Sequence, residues 1–190
     1  MVTLNRIYTR TGDGGTTRLA TGEPVAKDSH RVAAYGSVDE TNACVGLARL
    51  YSEPDLDGVL ARIQNELFDL GADLATPERP ELLGWEPLRI VDSQVERLER
   101  DIDALNAELS PLTSFVLPAG SPCSTHLHLA RTVCRRAERD VVALMAVEGE
   151  VVSAAALKYI NRLSDFLFVA ARWANGKGAD EVLWQPGGTR

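Results

Sequence analysis

Four stretches of the chain carry apolar residues at alternating steps of three and four positions. They run over residues 56–74, 91–109, 127–144 and 156–173. This spacing places the apolar side chains on one face of a helix, because an α-helix turns by about 100° per residue. No alternation of polar and β-branched residues, the pattern typical of strands, competes with it. The pattern therefore predicts four long amphipathic helices.

A shorter fifth helix is predicted over residues 37–51. Ser37 stands at the expected N-cap and Glu40 follows three residues later, which is the arrangement of a capping box. Segments that contain proline or glycine separate the helices, at 76–87, 110–111, 117–122 and 148–150. The fold class predicted from this order is all-α, a five-helix bundle with irregular segments at both ends.

Length and composition fit one globular domain. The chain has 190 residues, of which 45% are hydrophobic and 25% are charged. We therefore expect a single domain over residues 1–190, with an N-terminal arm over 1–30, the bundle over 37–175 and a C-terminal tail over 176–190.

The charge of the chain argues against two classes of partner. A formal net charge of -7 disfavours broad binding to nucleic acid or to an anionic membrane, although a local group of cations can still bind a small anion. No apolar run approaches the roughly 20 residues of a membrane span, and the first residues lack the apolar segment of a secretory signal. Three cysteines cannot all pair within one chain, so we expect reduced thiols and a cytoplasmic location.

The fourth predicted helix carries an unusual concentration of arginine. Arg131, Arg135 and Glu138 share one face at steps of four and three, and Arg136 with Arg139 forms a second row. The planar guanidinium groups suit phosphate oxygens, so the two rows could hold a polyphosphate from one side. A solvated face with intrahelical Arg–Glu pairs is the alternative.

The fifth predicted helix has a polar row beside its apolar face. Asn161, Asp165 and Arg172 lie along it, and Asp165 could pair with an arginine from elsewhere in the bundle. A polar site between the two helices and an ordinary ion-pair network both fit this pattern.

The N-terminal arm is rich in glycine and threonine. Within residues 8–17, Gly12, Gly14 and Gly15 allow the backbone amides to approach an anion closely, and four threonines add hydroxyl groups. The segment is not a Walker A loop, because the terminal Gly-Lys-Ser/Thr is missing and no strand is predicted before it. A flexible polar arm without a ligand is the alternative.

A zinc site is disfavoured. Cys123 and His126 can share a helix face, but His128 lies about 200° away from His126 around the helix. No fourth ligand is apparent, so direct protein ligands to a metal stay unknown.

Five segments, taken together, resemble the PduO-type cobalamin adenosyltransferases. They occur in order through almost the whole chain and read IYTRTGD (7–13), YGSVDE (35–40), FVLP (115–118), ARTVCRRAER (130–139) and YINRLSDFLF (159–168). The arginine-rich segment is the most diagnostic. The resemblance implies a homotrimer of five-helix bundles, a ferritin-like arrangement, with each active site at a subunit interface.

The resemblance also implies a nucleotide site. The arm residues expected to wrap ATP are Thr9, Arg10, Thr11, Gly12, Thr17, Arg18 and Lys27. The helix residues expected to complete the pocket are Arg135, Arg136, Ala137, Glu138 and Arg139. Asn161 would help to hold the nucleotide and its Mg²⁺.

Three further residues receive roles from the resemblance. Arg131 and Asp39 look like a pair across the subunit interface, and Phe115 would lie beneath the corrin ring. With Arg135, they form the set expected to be catalytic.

The implied reaction transfers the 5′-deoxyadenosyl group of ATP to the cobalt of cob(I)alamin, itself made from cob(II)alamin, and releases triphosphate. A reductase and an adenosylcobalamin-dependent mutase are the implied partners. One alternative is a carrier that delivers adenosylcobalamin to that mutase. A structural helical oligomer and a nucleotide hydrolase are two others.

Overall fold

Five α-helices and one small β-hairpin make up the described part of the fold. The computed structural model describes residues 7–79 and 83–190. The hairpin comprises β1 (Thr16–Arg18) and β2 (Pro24–Ala26), which pair antiparallel. The helices are α1 (His30–Arg49), α2 (Pro54–Leu74), α3 (Asp92–Asn106), α4 (Pro122–Met145) and α5 (Ala154–Trp173), followed by one 3₁₀ turn at Gly176–Gly178.

The four long helices predicted from apolar spacing are present. Local signals fix where they begin: Pro54 and Pro122 occupy first-turn positions, where a missing N–H costs nothing. The Ser121 and Ser153 hydroxyls cap α4 and α5, accepting from the Ser124 and Ala156 amides at 3.1 Å.

The predicted start of α1 is wrong. The helix begins at His30, with Ser29 as its N-cap, and the Ser29 hydroxyl accepts from the Val32 amide at 3.4 Å. Ser37 lies inside the helix, and its hydroxyl donates to the Asp140 carboxylate of α4. The capping-box pattern at Ser37 therefore reflects a contact between helices, and the bundle extends seven residues further toward the N-terminus than predicted.

The core lies where α4 packs against α1 on one side and α5 on the other. α2 packs on α1, and α3 packs on the outer side of α5. Large side chains such as Leu127, Tyr159 and Phe166 fill the interior. The three cysteines, Cys44, Cys123 and Cys134, are buried free thiols. This arrangement buries one face of α4 and directs its charged rows outward.

The hairpin was not predicted. Its turn packs against the end of α2, where Leu19 is buried and the Ala20 amide donates to the Ala75 carbonyl at 3.0 Å. Within the two described stretches, no helix combines the length and apolar character that crossing a membrane requires.

Candidate active site

The N-terminal arm forms an open cleft of about 650 Å³ beside the hairpin. The residues that line it are Thr9, Thr11, Gly12, Thr16, Thr17, Arg18, Pro24 and Lys27. Six of the seven arm residues expected around a nucleotide are in this set. The exception is Arg10, whose guanidinium carbon lies 5.7 Å from the centre of the Tyr8 ring.

Gly12 is required by close packing in this cleft. A Cβ atom at Gly12 would lie 3.0 Å from Nζ of Lys27 and 3.2 Å from the carbonyl oxygen of Thr16. The Gly12 carbonyl accepts from the Gly15 amide at 3.2 Å, and the Gly15 carbonyl accepts from the Lys27 amide at 2.9 Å. Gly15 has a φ of 81°, which favours glycine. The glycines thus bring the Lys27 ammonium against a turn of backbone.

The arginines of α4 differ in what they contact. Arg135 is exposed, and its side chain has no ion-pair partner within the described parts of the chain. Arg139 is also exposed and donates to the Arg135 carbonyl at 2.9 Å. Arg136 forms an ion pair with Glu40 of α1, and this hydrogen bond raises its pKa. Arg135 and Arg139 are therefore the exposed arginines of α4 that have no carboxylate partner among the described residues.

The other two members of the nucleotide set on α4 have different surroundings. Ala137 is 0% exposed in the core, so its side chain offers no surface to a nucleotide. Glu138 accepts from the side-chain amide of Asn161 at 2.8 Å. Glu138 of α4 and Asn161 of α5, both expected to lie near the nucleotide, thus contact each other directly.

The cleft of the N-terminal arm and the arginines of α4 lie on separate surfaces of the chain. Across residues 7–79 and 83–190, no hydrogen bond or ion pair joins the cleft to Arg131, Arg135, Arg136 or Arg139. The hairpin instead docks on the end of α2. The structure of one chain therefore does not bring the two predicted halves of the site together.

Arg131 and Asp39 are not paired within the chain. Arg131 lies over the Phe168 ring at 6.0 Å, and its Nε is buried without an acceptor among the described residues. Burial, followed by the charge of Arg135, lowers the pKa of Arg131. Asp39 is exposed and lines a groove of about 480 Å³ between α1 and α2, next to the exposed ring of Phe68. The Asp39 carboxylate is thus exposed, whereas the Arg131 guanidinium is partly buried over the Phe168 ring.

Phe115 is 76% exposed on the loop before α4. The C-terminal tail holds this loop: the Trp184 amide donates to the Phe115 carbonyl at 2.8 Å, and the two rings lie 5.9 Å apart. Val116 forms a β-bridge with Leu183. Sequence reasoning missed this role of the tail, because an isolated bridge has no periodic pattern.

Two buried polar groups fix the tail in turn. Arg172, which the sequence placed in a polar row, forms an ion pair with Glu181 and donates to the Ser110 carbonyl at 2.8 Å. Asn175 accepts from the Ser121 amide at 3.0 Å, and a Cβ at Gly120 would lie 2.3 Å from its Oδ1. Asp165, from the same row, pairs with Arg162 of its own helix at 3.4 Å. The polar row is therefore mainly structural.

The helical spacing disfavours His128 as a metal ligand, and the structure places it in the core. It is 1% exposed, and neither ring nitrogen has a partner among the described residues. His126 is elsewhere on the helix, stacked on Tyr51 at 5.3 Å. Within those same stretches, no three His, Cys, Asp or Glu side chains are grouped as a metal site requires.

These features define a class, an all-α protein whose exposed cations suit a phosphate-bearing ligand. The chain belongs to the cobalamin adenosyltransferase family, whose model matches residues 7–174. The family resemblance, the helical-bundle fold and the enzyme class, corrinoid adenosyltransferase, are thereby confirmed.

Relatives of this family resemble the chain over nearly its whole length. The corrinoid adenosyltransferase of Mycobacterium tuberculosis (strain H37Rv) is 53% identical over 193 residues, which cover 100% of this chain and 97% of the relative. That of Bacillus subtilis (strain 168) is 46% identical, over 95% of this chain and 92% of the relative.

A solved structure extends the comparison to the fold. A variant of the PduO-type ATP:corrinoid adenosyltransferase from Lactobacillus reuteri, complexed with cobalamin and ATP, superimposes with a TM-score of 0.85 at 38% identity. The match covers 95% of this chain and 99% of that one.

Proposed function

We propose that the chain transfers the 5′-deoxyadenosyl group of ATP to the cobalt of cob(I)alamin and releases triphosphate. The observation that carries the proposal is the arm cleft, where six of the seven residues expected around ATP line one surface. The complex of the Lactobacillus reuteri relative with cobalamin and ATP supports the same pair of substrates.

The nucleotide site is proposed to form between subunits of a homotrimer. Two observations support this: within residues 7–79 and 83–190 no hydrogen bond or ion pair joins the arm cleft to Arg135, and neither Arg131 nor Asp39 has an ion-pair partner there. In a cyclic trimer two different faces of each subunit meet, so the cleft of one copy can meet α4 of the next. Arg131 of one copy would then pair with Asp39 of its neighbour.

The chemistry needs no general base from the protein. The electron pair of Co(I) forms a bond to C5′ of ATP while the C5′–O5′ bond breaks, and triphosphate leaves with that bonding pair. Lys27, Arg135 and Arg139 would neutralise the charge that grows on the leaving group. Arg136, already paired with Glu40, contributes less.

Magnesium fits beside this leaving group. Glu138 and Asn161 use one oxygen and one nitrogen on each other, which leaves a carboxylate oxygen and an amide oxygen. These hard oxygen donors are of the kind that Mg²⁺ binds in phosphate sites. The ion would supply charge neutralisation of the triphosphate, and the two side chains would orient it.

Phe115 is proposed to act on the cobalt. Its exposed ring, fixed by the tail, gives an apolar surface on which the lower face of a corrin can rest. Such a surface excludes a nitrogen ligand from below the metal, which destabilises five-coordinate Co(II) and eases its reduction to Co(I). The protein thereby selects the coordination state, and the cofactor supplies the bond-making.

Replacing Phe115 by alanine tests this role. We expect Phe115→Ala to lower turnover from cob(II)alamin and a reductant by at least about tenfold, the change that a barrier increase of roughly 1.4 kcal/mol produces. The KM for ATP should stay within about twofold, because the ring lies outside the nucleotide cleft. Leu112→Ala, at an exposed apolar side chain of the same loop, is the matched control.

Wild-type turnover of Phe115→Ala would remove the proposed role. The assay should also follow adenosylcobalamin by its spectrum and triphosphate by chromatography. Equal amounts of the two products distinguish the transferase from a carrier, which binds without releasing triphosphate, and from a hydrolase, which releases single phosphate.

We further propose a reductase and an adenosylcobalamin-dependent mutase as partners, and a cytoplasmic location. The reaction consumes one electron for each Co(II) reduced, and the chain's own thiols are buried, which supports an external reductant. Three unpaired cysteines support a reducing compartment.

A further inference from the structure

A network of four charged side chains links separate parts of the fold. At its centre is Glu150, in the loop between α4 and α5. Glu150 forms one ion pair with Arg31 of α1 and a second with Arg79, beyond the end of α2, at 3.3 Å. Arg79 also binds Glu23 of the hairpin turn at 3.3 Å. The order of contacts is therefore Arg31, Glu150, Arg79 and Glu23.

Glu150 is the shared anion of two arginines. Arg31 is 3% exposed, and its Nη1 donates to the Leu74 carbonyl at the end of α2 at 2.5 Å. A buried guanidinium requires an opposite charge, and Glu150 is the carboxylate that supplies it. Burial opposes ionisation of Glu150, but the two arginines outweigh it and hold the pKa of this carboxyl below its ordinary value.

The same network fastens one end of the hairpin. Glu23 closes the turn, where its carbonyl accepts from the Leu19 amide at 2.9 Å. Leu19 is buried, and the Ala20 amide binds the Ala75 carbonyl. The rest of the hairpin, with Thr17 and Arg18, lines the cleft proposed for ATP. The orientation of the cleft thus depends on how the turn is held.

We propose that Glu150 is a positioning residue for the nucleotide, although it lies outside the cleft. By holding Arg79 against Glu23 and Arg31 against the end of α2, it fixes the hairpin that carries the cleft residues. This inference rests on the proposed ATP site. It assigns part of the affinity for ATP to a loop between two helices of the bundle.

The variant Glu150→Gln tests the inference because it removes the charge and keeps the shape. We expect the KM for ATP to rise about tenfold, because Arg31 and Arg79 both lose the charge of Glu150, while kcat stays within about twofold. Hydrogen exchange of the Ala20 amide should become faster, because its bond to the Ala75 carbonyl joins the hairpin turn to the end of α2. Glu148→Gln, at an exposed glutamate two residues earlier, is the matched control and should leave both measurements unchanged.

A second variant covers the case in which Glu150→Gln fails to fold. Glu23→Gln removes the outer ion pair only and leaves Arg31 with its counter-charge, so it should change the same two measurements in the same direction. An unchanged KM, or an unchanged exchange rate at Ala20, in an active and folded variant overturns the positioning role. A wild-type chain that forms no adenosylcobalamin contradicts the proposed function instead, and the exchange comparison then still decides whether Glu150 holds the hairpin.

Discussion

Individual side chains of α4 show the limit of an argument from spacing. Sequence reasoning put Arg135, Arg136 and Arg139 in one phosphate-binding group, because all three lie on charged rows of one helix. The structure separates them, since Arg136 is paired with Glu40, a residue that the sequence assigned to a capping box. Charge type and helix face could be predicted from the chain, but the partner on another helix could not.

His128 is a polar side chain that the fold buries in the core. Its ring meets Phe168 edge to face, with centres 6.3 Å apart. Burial, followed by the charge of Arg131, lowers the pKa of His128 below its ordinary value of 6.5. The imidazole is therefore neutral in the folded protein at neutral pH.

This burial predicts a pH dependence of stability. The unfolded chain takes up the His128 proton near pH 6.5, whereas the folded protein takes it up only at lower pH. The free energy of unfolding is thus unaffected by this group above that pH and falls as the pH is lowered below it. We expect His128→Phe to lose less stability than the wild type between roughly pH 7 and pH 5, measured by urea unfolding.

His126→Phe is the control for that measurement, because His126 is a partly exposed histidine on the same helix. Its stability should follow the wild-type curve. Parallel curves for wild type and His128→Phe would show that His128 does not contribute to the acid sensitivity.

At the scale of elements, the start of α1 is where the sequence prediction differs most from the structure. Residues 30–36 include His30, Arg31 and Gly36 and show no strong apolar repeat, so the Ser37–Glu40 pattern predicts a helix start that lies too late in the chain. Long-range contacts decide otherwise, since Arg31 binds the end of α2 and Ser37 binds Asp140. The four long helices were predictable because each buries a continuous apolar face.

Substitutions at the N-cap of α1 can distinguish a helix that begins after Ser29 from one that begins after Ser37. We expect Ser29→Ala to cost about 1 kcal/mol of stability and Ser29→Asp to be tolerated, as at other N-caps. Ser37→Asp should destabilise the protein, because it places a second carboxylate against Asp140. Thermal unfolding at one fixed protein concentration measures all three. If Ser37→Asp were tolerated and Ser29→Ala were neutral, the helix would begin at Ser37 after all.

The short elements were not predictable from local pattern. The hairpin strands have three residues each, and the tail contributes a single bridge to the Phe115 loop. Such elements depend on tertiary contacts, here the buried Leu19 and the Arg172–Glu181 ion pair. The residues of the cleft were predicted by resemblance, but the hairpin that presents them was not.

At the scale of the whole molecule, the two parts proposed for the nucleotide site lie on different surfaces of the described chain. The cleft contributes Lys27 and α4 contributes Arg135, without contact between them inside the described chain. The chain has a formal net charge of -7, which disfavours the approach of a triphosphate to most of its surface. Binding of a triphosphate therefore requires cations such as Lys27 and Arg135 to lie close together. The trimer is proposed because it can bring the cleft of one copy next to α4 of its neighbour.

Mixed oligomers test this arrangement. We expect Lys27→Ala and Arg135→Ala each to raise the KM for ATP strongly, because each removes a cation from the triphosphate. When the two variants are co-expressed in equal amounts and assemble at random, about a quarter of all sites should combine an intact cleft with an intact α4 and regain the wild-type KM, and about a third of the sites should do so in trimers that contain both variants. Separately purified variants mixed without subunit exchange are the control. A mixed preparation with no recovery would place both cations in one chain's own site.

The burial of all three thiols has a chemical consequence for a metal that carries a free electron pair. Burial raises the pKa of Cys44, raises that of Cys123 to about 11 and raises that of Cys134 further, so sulfur stays protonated in neutral solution. Thiolates are strong ligands for soft metal centres, whereas protonated sulfur is a poor one. Cob(I)alamin brought to this protein therefore meets no thiolate from Cys44, Cys123 or Cys134 that could compete with ATP for the cobalt.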